Sequence, residues 1–160
     1  MTAKDGSPAP RLADFAGELL RDTFGSIINL EQGVRKGDVN AIHDMRVGIR
    51  RMRNALNNFS TCLPKEDRKQ LVDALKTLAT SLGKVRDLDV LIGSLKNQKK
   101  KIASSEQQAV KGLIKRARVR RRRNLKSLKR FMDGPVFASL KNEKTMIESI
   151  GGVGANGETV

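Results

Sequence analysis

HDMRVGIRRMR, residues 43–53, places apolar and cationic side chains next to each other at helical spacing. A helix turns about 100° per residue, so residues three or four apart share a face. The apolar face extends beyond this stretch and comprises Ile42, Met45, Ile49, Met52, Leu56, Phe59 and Leu63. His43, Arg46, Arg50 and Arg53 repeat the spacing one residue later and form a stripe along its edge. The pattern predicts a helix that packs through its apolar face and holds cations in a groove beside a neighbouring helix.

Helical spacing continues outward from this stretch in both directions and predicts four main helices. The first two cover residues 11–36 and 39–62, the third runs from Pro64 through Ile92, and the fourth covers residues 105–132. A shorter helical stretch follows the fourth helix. Because no strand alternation of useful length occurs, we expect an all-α protein, an antiparallel four-helix bundle with short connections.

Local signals mark the predicted helix ends. Lys36-Gly37-Asp38 combines a C-terminal cation, a residue suited to a left-handed stop and an N-cap for the second helix. Ser105 and Gln108 have the spacing of a capping box at the start of the fourth helix.

The chain has 160 residues, of which 38% are hydrophobic and 31% charged, and this composition predicts one compact domain. We place that domain at residues 11–150, between a flexible leader, residues 1–10, and a Gly-rich disordered tail, residues 151–160. The N-terminus has no apolar segment like that of a signal peptide, so no signal peptide is expected. No run of about 18 apolar residues occurs, so the sequence predicts no membrane span. The single cysteine, Cys62, is compatible with a packed thiol in a reducing compartment, so we expect a cytoplasmic protein.

The net charge of +15 and the pI near 10.5 predict a polyanionic partner. Residues 105–134 alone carry eleven lysines and arginines against two carboxylates. The chain has five Phe and no Tyr or Trp, so few rings are free to stack on bases, and a polyanion without bases fits better. Duplex nucleic acid bound through the Arg-rich fourth helix is the alternative, and docking of an acidic protein is a third.

Asp89 falls on the apolar seam of the third helix, where a buried carboxylate requires a cation. Arg86 and the arginines of the second helix are the expected partners, and such a pair would orient a guanidinium for anion binding. Asp87 lies about 200° away from Asp89 on the helix, so the two cannot chelate one metal ion. No arrangement typical of phosphoanhydride hydrolysis is evident, and we expect a non-enzymatic module without metal or cofactor.

HDMRVGIRRMRNALNNF, followed by LGKVRDLDVLIGSL, resembles the CHAD domain, and a weaker similarity continues to RNLKSLKRFMD. The resemblance covers roughly residues 20–135. It implies a basic groove that binds inorganic polyphosphate and association with polyphosphate granules. The residues that match the histidine block are His43, Arg46, Arg50, Arg51 and Arg53, and those that match the R-D-x-D block are Arg86, Asp87 and Asp89. From the fourth helix we add Arg116, Arg120 and Arg123 as expected phosphate ligands.

Members of this family typically contain two copies of the helical unit, each with its own histidine block, facing each other across the groove. This chain contains one copy, and His43 is its only histidine. Three explanations are open: two chains pair as a homodimer and rebuild the two-lobed groove, an isolated half binds polyanion weakly, or the chain is a truncated product.

Overall fold

The computed structural model describes residues 10–149, and the predicted leader and tail lie outside them but for Pro10. The helices of the described part are α1 (Pro10–Asn29), α2 (Glu31–Lys36), α3 (Val39–Asn58), α4 (Lys65–Lys99), α5 (Ser104–Met132) and α6 (Pro135–Ser149). A 3-10 helix, Ser60–Cys62, joins α3 to α4. Helices are the only regular elements between residues 10 and 149, so the expected all-α fold is confirmed. The predicted second, third and fourth helices correspond to α3, α4 and α5.

The first predicted helix was expected to be continuous to residue 36, and this is wrong. The Leu30 N–H donates to the Ile27 carbonyl, three residues back, at 3.2 Å, and this tighter turn separates α1 from α2. The predicted stop is confirmed, because Gly37 has φ 79° in the left-handed region. The predicted cap is also confirmed, since the Asp38 carboxylate accepts the Ala41 N–H at 2.7 Å.

The predicted starts and ends of the other helices need two corrections. The second predicted helix leaves the α conformation at Asn58, and the 3-10 turn replaces its last residues. The predicted capping box is not formed, because α5 begins one residue earlier, at Ser104, with Ala103 as an N-cap that makes no side-chain hydrogen bond. Ser105 therefore lies inside the first turn, where it cannot act as the cap.

The apolar seams predicted for α3 and α4 form the core. The fully buried members include Ile42, Met45, Ile49, Met52, Leu56, Leu71, Leu75, Leu78, Leu82 and Val85. Phe59 is half-buried, and Leu128, Phe137 and Leu140 of the last two helices cover the seams. Burial of each large apolar side chain contributes about 1.5–3 kcal/mol, so this cluster is the main source of stability.

A smaller apolar cluster lies further along the α4–α5 hairpin and consists of Leu88, Ile92, Ile114 and Ala117. Leu113 of α5 is 44% exposed. Ile114 is buried, as are Ala117, Leu128 and Met132 of the same helix. Phe15 is 57% exposed and makes an edge contact with Phe59, with ring centroids 6.0 Å apart.

Arg35 joins α2 to the end of α5. Its guanidinium donates to Asp133 Oδ1 at 2.6 Å, to the Met132 carbonyl at 3.1 Å and to Glu31 Oε1 at 2.9 Å. Lys141 of α6 donates to the second oxygen of Glu31 at 3.0 Å. Burial alone would raise the pKa of the Glu31 carboxyl, but the Lys141 and Arg35 hydrogen bonds outweigh burial and lower it. The Asp133 and Glu31 hydrogen bonds raise the pKa of the Arg35 guanidinium.

Candidate polyanion-binding site

A groove of about 420 Å³ lies between α3 and α4. Its cationic lining residues are His43, Arg46, Arg50 and Arg53 from α3 and Arg86 from α4. The stripe predicted from residues 43–53 therefore faces a groove beside a neighbouring helix, as expected. Ile49, Ala79 and Val90 also line this groove, so cations border an apolar floor. We call it the α3–α4 groove.

The α3–α4 groove continues along α4 toward its N-terminal half. Arg46 and Arg53 also line the adjoining cleft, where Lys76 and Lys84 add two further cations. The shared arginines make the two clefts one basic surface. Since the α4 residues lie at helical spacing on one side, the lysines extend the positive potential along the helix axis.

Arg46 lies across the backbone of α4. Its Nη1 is 3.5 Å from Asp87 Oδ1 and would lie 3.6 Å from a Cβ placed on Gly83. α4 continues through Gly83 without a break, and a Cβ there would make only ordinary van der Waals contact with the Arg46 guanidinium. The Asp87 side chain is 80% exposed, so this ion pair is weak and leaves the guanidinium accessible to a competing anion.

Arg53 lines the groove with part of its guanidinium unsatisfied. Its Nε is buried and has no hydrogen-bond partner among the described residues. A buried donor without a partner lowers the stability of the fold by about 1–3 kcal/mol, and by more when the group is charged. An anionic oxygen bound to the same guanidinium in the groove would offset part of that cost.

Asp89 is buried as predicted, with 4% of its side chain exposed, but the predicted partners are wrong. It accepts a hydrogen bond from Arg121 of α5, and not from Arg86 or an arginine of α3. Arg121 also donates to the Gly37 carbonyl at 2.8 Å, so this pair ties α4 and α5 to the turn before α3. The carboxylate therefore orients a packing arginine, and the predicted link from Asp89 to a groove arginine is absent from the described residues.

The remaining predicted ligands lie on exposed surfaces. Arg116, Arg120 and Arg123 are exposed on α5, and Arg51 is exposed on α3. None of them lines the α3–α4 groove. Their role as phosphate ligands stays a prediction.

Sequence reasoning missed a second basic groove, of about 880 Å³, between the end of α4 and the beginning of α5. Its cationic lining residues are Lys96, Lys99, Lys100, Lys111, Lys115, Arg118 and Arg122. We call it the hairpin groove. The four α5 cations are spaced four, three and four residues apart and so share one face, a signal that the continuous basic run around them conceals.

Within residues 10–149, three or more His, Cys, Asp or Glu side chains do not come together as a metal site. No helix between residues 10 and 149 is long and apolar enough to cross a membrane. The single thiol, Cys62, is half-buried.

A family model of the CHAD domain matches residues 18–145, which includes both walls of the α3–α4 groove. The chain belongs to the CHAD domain family. No match is found among curated proteins or among solved structures. CHAD domains are associated with polyphosphate binding, and the basic groove of this CHAD domain has the charge that such a ligand requires.

Proposed function

We propose that this CHAD domain binds inorganic polyphosphate in the α3–α4 groove and does not hydrolyse it. The observation that carries the proposal is the convergence of four arginines and the only histidine of the chain on one groove between two helices. Guanidinium groups bind phosphate oxygens through paired hydrogen bonds, so cations spaced one helical turn apart suit a repeating phosphate chain.

The lining of the groove favours a polyanion without bases. Its residues include no Phe, Tyr or Trp, so His43 offers the one ring on which a base could stack. Phe24 and Phe137 are buried in the core, and the exposed Phe15 belongs to α1, outside the groove. Phosphate contacts alone would thus account for binding, and a chain of phosphates offers the highest density of such contacts.

Binding without turnover is supported by the groups at the groove. Asp87, the carboxylate among its lining residues, is paired with Arg46, and His43 is exposed. Incubation of the domain with polyphosphate should release no orthophosphate above the protein-free control. Release that depends on protein concentration and on His43 would contradict this part of the proposal.

A binding titration with medium-chain polyphosphate tests the site. The variant carries His43→Ala, Arg46→Ala and Arg50→Ala, and the control carries Lys126→Ala and Arg130→Ala, which removes the same two formal charges from exposed positions of α5. Each lost charge-assisted hydrogen bond costs about 1.5–3 kcal/mol of binding free energy, so we expect the groove variant to bind at least about a hundredfold more weakly. We expect the control to bind within about threefold of wild type.

Duplex DNA of matched charge serves as competitor in the same titration. Polyphosphate should outcompete DNA on the wild type. If DNA competes equally and the groove variant binds as before, the stripe on α3 has only a structural role and the proposal is wrong. Granule association belongs to the same proposal, and tagged wild type should colocalise with polyphosphate granules in cells while the groove variant stays diffuse.

The exposed arginines of α5 favour one second function, binding of duplex nucleic acid through phosphates. Under that alternative, the Arg116→Gln, Arg120→Gln, Arg123→Gln variant would lose DNA binding while the α3 variant keeps it. Docking of an acidic protein is the third function expected from the sequence, and it would survive removal of the α3 arginines.

A further inference from the structure

The two basic grooves lie on the same side of α4. Arg86 and Val90 line the α3–α4 groove, and Gly93 and Asn97 line the hairpin groove. These four residues are spaced four, three and four apart, which keeps them on one face of the helix. The grooves therefore follow one another along α4 and do not open on opposite sides of the molecule.

The position of the α2–α3 turn explains how one groove passes into the other. Arg121 bonds both Asp89 and the Gly37 carbonyl, so α3 begins near the level of Asp89 on α4. Beyond that level α4 and α5 project past α3, and the hairpin groove occupies the side that α3 leaves uncovered. Along α4, the axial rise is about 16 Å from Arg86 in the α3–α4 groove to Asn97 in the hairpin groove. The rise is about 36 Å from Lys76, in the cleft that adjoins the α3–α4 groove, to Lys100 in the hairpin groove.

The hairpin groove is built for anions along its whole length. Seven of its twelve lining residues are lysines or arginines, and none is a carboxylate. Its walls are held by the small apolar cluster, because Ile114 both lines the groove and packs with Leu88 and Ile92. Cations on both helices are thus held facing one groove, where they can meet successive charges on one ligand.

We propose that one extended polyphosphate chain lies across both grooves, and that the hairpin groove is the subsite that makes affinity depend on chain length. This inference rests on the proposed function. A chain bound in the α3–α4 groove presents its next phosphates to the hairpin at high effective concentration. Tripolyphosphate is too short to cover the rise between the grooves, so it can occupy only one of them at a time.

The test compares long-chain polyphosphate with tripolyphosphate on two matched variants. The hairpin variant carries Lys115→Gln, Arg118→Gln and Arg122→Gln, which line the groove. The comparison variant carries Lys69→Gln, Lys126→Gln and Arg130→Gln, which removes the same three charges at positions that line neither groove. All six side chains are exposed, so both variants should fold, and circular dichroism checks this.

We expect the hairpin variant to bind long chains at least about tenfold more weakly, because linked sites commonly add that much affinity or more. The preference of wild type for long chains over tripolyphosphate should fall by the same factor. The slope of log affinity against log salt should decrease in magnitude by about two, since each contacted phosphate contributes about 0.7. The comparison variant should lose less than about threefold, with a salt slope close to wild type.

The outcomes separate this inference from the proposed function. Equal losses in the hairpin and comparison variants would show that only the overall charge matters, and would overturn the hairpin subsite. An unchanged hairpin variant, together with weak binding by the α3 variant, would also overturn it while the proposed function stands. If wild type binds no long-chain polyphosphate, the proposed function itself fails.

Discussion

Among individual side chains, Asp89 and Arg121 show how a buried charge is satisfied in this bundle. The carboxylate is almost fully buried, yet only one of its oxygens is hydrogen-bonded, and Oδ2 has no partner among the described residues. Removal of one member of a buried pair leaves the other charge uncompensated, whereas replacement of both by apolar groups is often tolerated. The pair therefore contributes more to the arrangement of α4, α5 and the Gly37 turn than to net stability.

We expect Arg121→Met to lower the free energy of unfolding by about 3–5 kcal/mol, because Asp89 then stays buried without a cation. The double variant Arg121→Met, Asp89→Leu should be more stable than the single variant, since no charge is left behind. Urea denaturation followed by circular dichroism measures both. A double variant less stable than the single one would show that the buried pair is not the source of the loss.

Glu31 gives a prediction of pH dependence. Its pKa is lowered from the ordinary value of 4.5 in the folded protein, so its carboxylate stabilises the fold above that value. This contribution is lost as the pH falls through the lowered pKa. Glu31→Gln should therefore unfold more easily than wild type near neutral pH, by about 1 kcal/mol, and the difference should vanish below the folded pKa. Denaturation at several pH values measures it, and the exposed Glu18→Gln serves as control, with an expected change under about 0.5 kcal/mol.

Among the helices, the Gly37 turn sets where α3 starts and thus where the two grooves meet. A Cβ at Gly37 would lie 2.6 Å from Cδ2 of Leu125, and φ of 79° is unfavourable for any residue with a Cβ. Gly112 lies inside α5, and a Cβ there would have no heavy atom within 4 Å beyond the nearby backbone of its own helix and its chain neighbours. The backbone conformation and the packing therefore require glycine at position 37, whereas neither requires it at position 112.

Gly37→Ala should lower the free energy of unfolding by about 1–2 kcal/mol, because alanine is strained in the left-handed conformation. Gly112→Ala should raise it by about 0.5–1 kcal/mol, because alanine favours the helix. Thermal unfolding compares the two variants with wild type. Equal effects of the same sign would show that the left-handed turn is not required at Gly37.

Across the whole molecule, the net charge of +15 is concentrated on α4 and α5 and opposes compaction. We expect the melting temperature to rise by several degrees between low and moderate salt, as screening relieves this repulsion. The Arg116→Gln, Arg120→Gln, Arg123→Gln variant should show a smaller rise, since it starts with less repulsion. A melting temperature that falls with salt would mean that ion pairs such as Arg35 with Glu31 dominate instead.

Pairing of two chains is the expectation from the single histidine block, and sedimentation measures it. If two chains rebuild a two-lobed groove, polyphosphate should shift the domain to a species of twice the mass at one chain of ligand per dimer. A monomer that binds polyphosphate with full affinity at every concentration would show that one copy is sufficient.

The amino-acid sequence by itself determined the apolar seams of α3 and α4, the cation stripe on α3 and the Gly37 stop. These features depend on residues within one or two turns of each other, and helical spacing is local information. Even where the sequence was wrong about a boundary, as at Leu30 or Ser105, the element itself was present.

Packing between distant segments decided the rest. Arg121 reaches Asp89 from 32 residues away, and only the way in which α5 lies against α4 makes it the partner. The hairpin groove exists because α3 is shorter than the two helices that it packs beside, so cations from both are left facing one uncovered space. Helical periodicity states which residues share a face, but the face that each helix presents to its neighbour is set by the fit of the whole core.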